Sequence, residues 1–386
     1  MIHLHRSLPT KTSELAIVKL FLALGLACID TVWALYMNNL GLNDSAIGFI
    51  SSSLVIVSIL ATFFATPIME KYDQNKILFL TLLTSIIIFI MIALFKNIVV
   101  FIIMAIILTI LTIFRINCLD IIFRDSVPDK DLNKAEGFWY TITNVGWVVG
   151  PLVAGFILTT FGLSQVFYLV SGFFLIGLII FSSLHFKKKI HAKVHSSILH
   201  NLIKFKTNKK LRLPFLLALG LQVWWPLIYI YTPLFIISQG LDVSIVGLFF
   251  AAIIVPMVLL EYNVGKLSSK IGFKQFYVIG FSGLAGLSFS LFFIKNIYWQ
   301  LIILITASFF VALIEPLQDT FFFKFVCKNN EERYYPIFKT TKSLGSFIGN
   351  FSIAGVLLFF PSKFAYLAVA ILMSFFVVLS FKIENQ

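Results

Sequence analysis

The chain has 386 residues, 59% hydrophobic and only 12% charged, where soluble globular chains average about 25% charged. That balance excludes a water-soluble fold, which could not hide so much apolar surface. The net charge of +13 would suit a nucleic-acid binder, but the basic residues are parcelled into alternate loops and form no continuous basic face, so no nucleic-acid partner is expected.

The apolar residues come in runs of about 20, the length that crosses a roughly 30 Å hydrocarbon core at 1.5 Å per residue. In chain order they predict spans at 15–37, 45–69, 76–95, 98–121, 136–160 and 164–186, then, after a polar stretch, at 213–238, 244–265, 274–294, 297–319, 335–360 and 363–381. The expected fold is an all-α integral membrane protein of 12 transmembrane helices in two pseudo-symmetric six-helix bundles, 1–186 and 213–386, joined by a basic linker, 187–212. Within that linker Ile198, Leu199, Leu202, Ile203 and Phe205 recur among Lys and His. The pattern suits either a short helix on an anionic inner leaflet or an unstructured basic tether.

Lys and Arg crowd the two ends of the chain, the linker and the loops after even-numbered spans, while Lys96, Lys295 and Lys363 are the exceptions among the other loops. By the positive-inside rule this predicts a multi-pass protein of the plasma (inner) membrane with both termini cytoplasmic. The polar start and a first apolar run that continues through a full span give no sign of a cleaved signal peptide. Cys28 and Cys118 fall in spans and Cys327 in a loop, which offers no disulfide framework. His191 and His195 have helical spacing but read as solvated loop residues, so neither a metal nor a cofactor is expected.

The two halves repeat at a fixed offset of 199 residues. Gly41 answers Gly240, Ser45 answers Ser244, Gly48 answers Gly247, Lys71 answers Lys270, Asp120 answers Asp319, Gly146 answers Gly345 and Gly150 answers Gly349. Apolar positions match by chance in a membrane protein, whereas glycines and acids do not, so these pairs argue for two bundles of common ancestry. An even number of spans per half makes the copies parallel, an arrangement used by transporters with a solute site near the midplane.

The loop after span 2 runs from Thr66-Pro67 through Glu70-Lys71 and Asp73 to Lys76; the loop after span 8 runs from Gly265 through Ser269-Lys270 and Gly272 to Lys274. Both resemble the G-x-x-x-D-R/K-x-G-R/K-R/K motif of the major facilitator superfamily. The first copy keeps the acid and base but not the glycines, and the second keeps the glycines and base but has Ser269 for the acid. The resemblance implies a conformational latch on the cytoplasmic side, with Lys71 reaching Asp120 and Glu70 meeting the N-terminal end of span 11 near Arg333. In the second half Gly265, Lys270, Gly272 and Asp319 would repeat it. Span 5 carries Gly137, Gly146, Gly150, Pro151 and Gly155, similar to a glycine motif of the superfamily's proton-driven exporters, with Ala154 in place of one glycine. Close helix packing alone also explains these small residues.

Ionisable residues inside spans are costly and so are functional candidates. They are Asp30 in span 1, Arg115 in span 4, Glu315 in span 10, Glu261 near the end of span 8 and Lys342 in span 11, with Lys19 expected to snorkel. Glu261 reads as a brace for the following loop. Asp30, Trp33 and Met37 share a helical face of span 1, and Trp225, Tyr229 and Thr232 a face of span 7, with Tyr229 answering Asp30. The family resemblance places spans 1, 4, 7 and 10 on the cavity wall, where aromatic rings and a carboxylate would suit a lipophilic or cationic solute, although a packing stripe is an equal reading. Arg115 and Glu315 lie at nearly equal depth in corresponding helices, and two readings stand: they approach each other across the bundle interface, or Glu315 faces Lys342 or a neighbour in its own bundle.

The expected function is secondary active transport of a small solute by a monomer, coupled to a proton or another ion, with export of an amphiphilic or cationic compound preferred. The alternative is a proton-coupled importer of a sugar, nucleoside or peptide. A membrane enzyme or receptor is disfavoured, since the sequence has no Walker loop, no H-E-x-x-H, no G-x-S-x-G and no long soluble domain.

Overall fold

The computed structural model describes residues 10–127, 132–184, 198–326 and 331–384, and every regular element among them is helical. Eleven helices among the described residues are long and apolar enough to cross a membrane. Spans 1 to 6 are Thr10–Asn39, Asp44–Lys71, Gln74–Leu94, Ile98–Ser126, Leu132–Phe161 and Leu163–Ser183. Spans 8, 9 and 12 are Ser244–Ile271, Phe273–Phe293 and Lys363–Ser380. Span 11, Glu331–Leu357, supplies the twelfth helix; its 27 residues are long enough to cross, but Lys339, Lys342 and Asn350 make it the most polar. Large apolar side chains stand outward on many spans, among them Phe64 (65% exposed) and Leu259 (62%), as expected of helices solvated by lipid.

Two spans depart from the continuous helices that their apolar runs predict. Span 7 is Lys209–Pro226, a five-residue π-helical turn Leu227–Tyr231, and Thr232–Ser238. Pro226 and Pro233 flank the turn, and neither can donate the backbone hydrogen bond that a regular helix needs. Span 10 is Ile297–Ile314 followed by Leu317–Phe323, broken at Glu315-Pro316. Of the linker, the structure describes a short helix, Ile198–Thr207; the segment with His191 and His195 lies outside the described residues, as do Arg6 and Cys327.

The described contacts divide the chain into two compact units, and these are not simple halves. One gathers Met1–Gly41, Val57–Lys193 and Asp242–Ala251; the other gathers Leu42–Ile56, Val194–Leu241 and Ala252–Gln386. The first portions of spans 2 and 8 are thus exchanged. In the first unit span 1 packs on spans 5 and 6, and span 3 on spans 4 and 6. In the second, span 7 packs on spans 11 and 12, and span 9 on spans 10 and 12, so each unit repeats the pairing of the other.

Glycines set the closest approaches. A Cβ on Gly146 would lie 2.7 Å from the Cβ of Ala23, and one on Gly150 2.6 Å from the Cβ of Ala27. In the second unit a Cβ on Gly345 would lie 2.6 Å from the Leu219 carbonyl oxygen, and one on Gly349 2.6 Å from that of Val223. The exchanged segments do the same: Gly155 lies against Gly247, and Gly48 against Ala354 and Tyr231. Ser45 donates to the Ala354 carbonyl at 2.7 Å. The starts of spans 2 and 8 are capped alike, by Asn43 accepting from the Ala46 N–H and Asp242 from that of Ser244, both at 2.8 Å. Hydrogen bonds from the Ser244 hydroxyl and backbone hold the Asp242 carboxyl below the usual carboxylate range.

Candidate functional site

The second unit holds the features best suited to a solute. The rings of Trp225 and Tyr229 lie 5.4 Å apart, centroid to centroid, at the π-turn of span 7, and both are half-buried. Tyr231 donates to the Asn350 carbonyl at 3.1 Å, tying the turn to span 11. The Thr232 hydroxyl donates to the Leu227 carbonyl at 2.7 Å, so a side chain reinforces the wide turn. Of the expected face of Trp225, Tyr229 and Thr232, Thr232 is 1% exposed, so only the two rings are open to a solute.

On span 10, Glu315 is half-buried and occupies the break rather than a helix interior. One turn later Gln318 meets the Gln222 side chain of span 7 at 3.5 Å, a weak contact that places two amides where spans 7 and 10 pack. Discontinuous spans carrying polar groups are where membrane transporters build solute sites. The sequence pattern singled out neither glutamine; a scan for amides at the depth of Glu315 would have found Gln318.

In the first unit Arg115 is 2% exposed. Its guanidinium lies 4.8 Å from the Phe174 ring centroid and donates to the Thr112 hydroxyl at 3.0 Å, while Nη1 is buried without a hydrogen-bond partner among the described residues. Phe174 was not anticipated from the sequence. Asp30 is half-buried in span 1. Trp33 packs on Phe101 at 4.9 Å, and Met37 on the same face is fully buried, so this face of span 1 is largely packing surface.

At the expected latch, Lys71 is exposed with its ammonium 5.4 Å from the Tyr72 ring centroid, and Asp120 is exposed in span 4, before its last turn. The side chains of Glu70, Arg333 and Glu261 lie outside the described residues, and Lys342 is exposed. The second copy differs from expectation. Asp319 accepts from Lys339 of span 11 at 2.9 Å and from the Tyr335 hydroxyl at 3.1 Å, whereas Lys270 is exposed and makes no ion pair among the described residues. Both members of the Asp319–Lys339 pair are about half exposed, which limits its worth to under about 1 kcal/mol. Helix entry also differs between the copies. Gly272 opens span 9 with φ +91°, a conformation that favours glycine, while Asp73 opens span 3 with φ −68° and caps the Asn75 N–H with its carboxylate at 2.9 Å. Gly265 has nothing within 4 Å of a Cβ, so packing does not require it.

Twelve spans among the described residues, in two pseudo-symmetric sets of six with polar breaks in two of them, make the frame of a polytopic transporter and not of an enzyme. The chain belongs to the Major Facilitator Superfamily, whose model matches residues 15–350. No curated protein matches it in sequence. Among solved structures it is similar to nucleoside transporter NupG (TM-score 0.79, 15% identity, 97% of this chain and 98% of that one). It is likewise similar to a D-xylose-proton symporter (0.78, 16%, 97% and 97%). A POT family transporter in complex with 5-aminolevulinic acid is a third (0.79, 12%, 97% and 95%). At these identities the likeness establishes the fold and, with the family, transport of a small molecule across a membrane.

Proposed function

We propose that the protein is a proton-coupled secondary transporter that exports a small amphiphilic or cationic solute by alternating access. It acts as a monomer in the plasma (inner) membrane, with both termini cytoplasmic. The observation that carries this reading is the Trp225–Tyr229 ring pair at the π-turn of span 7, in the unit whose span 10 breaks at Glu315. The two rings, tilted by 30°, offer an apolar surface, and their faces attract a cation by about 1 to 2 kcal/mol when desolvated. The Glu315 carboxylate in the same unit supplies charge, and Asp30 supplies a second protonatable group.

The purified protein in liposomes, screened against small solutes with a pH gradient imposed in either direction, tests the reading. Export predicts that a lipophilic amine moves against the proton flux. A solute that moves with the protons would replace it by the second reading, uptake of a sugar, nucleoside or peptide. That reading is favoured by the Gln222–Gln318 amides, which suit a hydroxyl-rich solute, and by the likeness to a D-xylose-proton symporter.

The latch remains part of the proposal in its first copy. Replacing Lys71 or Asp120 by Ala is expected to increase labelling of engineered cysteines on the cytoplasmic side by water-soluble thiol reagents, in a Cys327→Ser background. The native Cys28 and Cys118 are buried and should stay silent. Unchanged labelling in both variants would count against the latch.

A further inference from the structure

The described part of the linker is held firmly against the second unit, and its outward side is basic. Phe205 is 7% exposed and packs among Leu211, Phe322, Ile337 and Phe338, with the rings of Phe215 and Tyr334 at 5.6 and 5.9 Å. Arg212 donates to the Lys206 carbonyl at 3.1 Å and Asn208 to the Lys204 carbonyl at 3.2 Å, so the end of the linker helix is fixed to the start of span 7. Lys204, Lys206, Lys209, Lys210 and Arg212 are all exposed, as is Ile203, and residues 198–212 contain no Asp or Glu.

We propose that the segment 203–212 is a docking surface for anionic phospholipid headgroups, keyed to the ends of spans 10 and 11 by Phe205. Three features point to a lipid surface. The basic side chains have no acidic neighbour in their own segment. Lys209, Lys210 and Arg212 stand at the first turn of a membrane-spanning helix, and Lys204 and Lys206 on the short helix that leads into it. The exposed Ile203 offers an apolar contact beside them. Each lysine near an anionic bilayer surface gains free energy from it, and a cluster of this size gives lipid selectivity. Phe205 carries the docking inward: the cage around it includes Tyr335, whose hydroxyl donates to Asp319 at 3.1 Å beside Lys339. Lipid binding would thereby stiffen the end of span 10 against span 11. The inference rests on the cytoplasmic assignment of the basic loops but not on direction, coupling or solute.

The test uses the full chain in detergent and phosphatidylglycerol with a fluorescent acyl chain, with the phosphatidylcholine analogue as control. Saturable binding of phosphatidylglycerol is expected, with phosphatidylcholine much weaker. Converting Lys204, Lys206, Lys209 and Lys210 to Gln should weaken binding by on the order of 100-fold. These side chains are exposed, so the variant should elute and melt like the wild type. Phe205→Ala should weaken binding several-fold and speed backbone hydrogen exchange in 198–207. Inorganic phosphate at the same concentration should not compete. Equal binding of both lipids, competition by phosphate, or unchanged affinity in the four-lysine variant would each overturn the proposal. A Phe205→Ala protein that binds like the wild type would overturn the keying. The solute assay is not involved, so failure here is distinct from failure of the transport reading.

Discussion

Asp30→Asn is expected to reduce uphill, pH-driven transport to the level of protein-free liposomes while leaving downhill solute exchange in place. The neighbours of Asp30 along span 1 are buried, from Cys28 (0% exposed) to Val32 (0%), and the helix continues for at least two turns on either side. Its short side chain therefore has no water-membrane interface within reach. A carboxyl in that setting can bind and release a proton during a transport cycle, whereas an amide of the same size keeps the hydrogen-bonding shape and cannot carry the proton. The assay compares solute accumulation under an imposed gradient with isotope exchange at equal pH. Uphill transport undiminished in the variant would remove Asp30 from the coupling mechanism.

A second large effect is expected from Gly349→Val. A Cβ there would sit 2.6 Å from the Val223 carbonyl oxygen and 2.9 Å from a ring carbon of Pro226, and neither a helical carbonyl nor a proline ring tied to its own backbone can swing aside. Spans 7 and 11 would have to separate, with an overpacking cost of about 3 kcal/mol or more. The variant should lose its monodisperse folded fraction and melt well below the wild type. Gly286, where nothing lies within 4 Å of a Cβ, is the internal comparison: Gly286→Ala should be neutral or stabilise by up to about 1 kcal/mol. If the two variants melt alike, close approach at Gly349 is not what holds this helix pair.

Much of this architecture can be read from the residues because membrane spans and glycine contacts obey simple rules. The twelve apolar runs become helical spans, ten of them continuous, because backbone polar groups in lipid must be satisfied within the helix. The matches at offset 199 also have direct physical meaning. Gly146 and Gly345 approach Ala23 and Gln222, themselves related by the same offset, and Asn43 and Asp242 cap equivalent helices. Where contacts depend on side-chain reach or local backbone chemistry, the pattern is less informative. Equivalence of Asp120 and Asp319 suggests equivalent lysine partners, yet Asp319 turns to Lys339 and Tyr335 on the adjacent span. Arg115 has a clear depth in the sequence, but its rotation about the helix, which brings it onto Phe174, follows only from packing. The break at Glu315 is announced by Pro316, whereas hydropathy alone runs straight through it.

The π-turn in span 7 has a geometric outcome for the pseudo-symmetry. Residue matches at offset 199 hold on both sides of it, at Gln222 and again at Gly240, so the wide turn adds no residue relative to span 1. The face beyond it is kept: Phe235 meets Tyr366 edge-on at 5.6 Å, as the counterpart Tyr36 meets Phe167 at 4.8 Å. Trp33 and its counterpart Thr232 differ in burial, the first half-buried and the second sealed inside. Two duplicated helices of equal residue count thus present unlike walls, and a molecule with inherited symmetry need not offer its solute a symmetric surface.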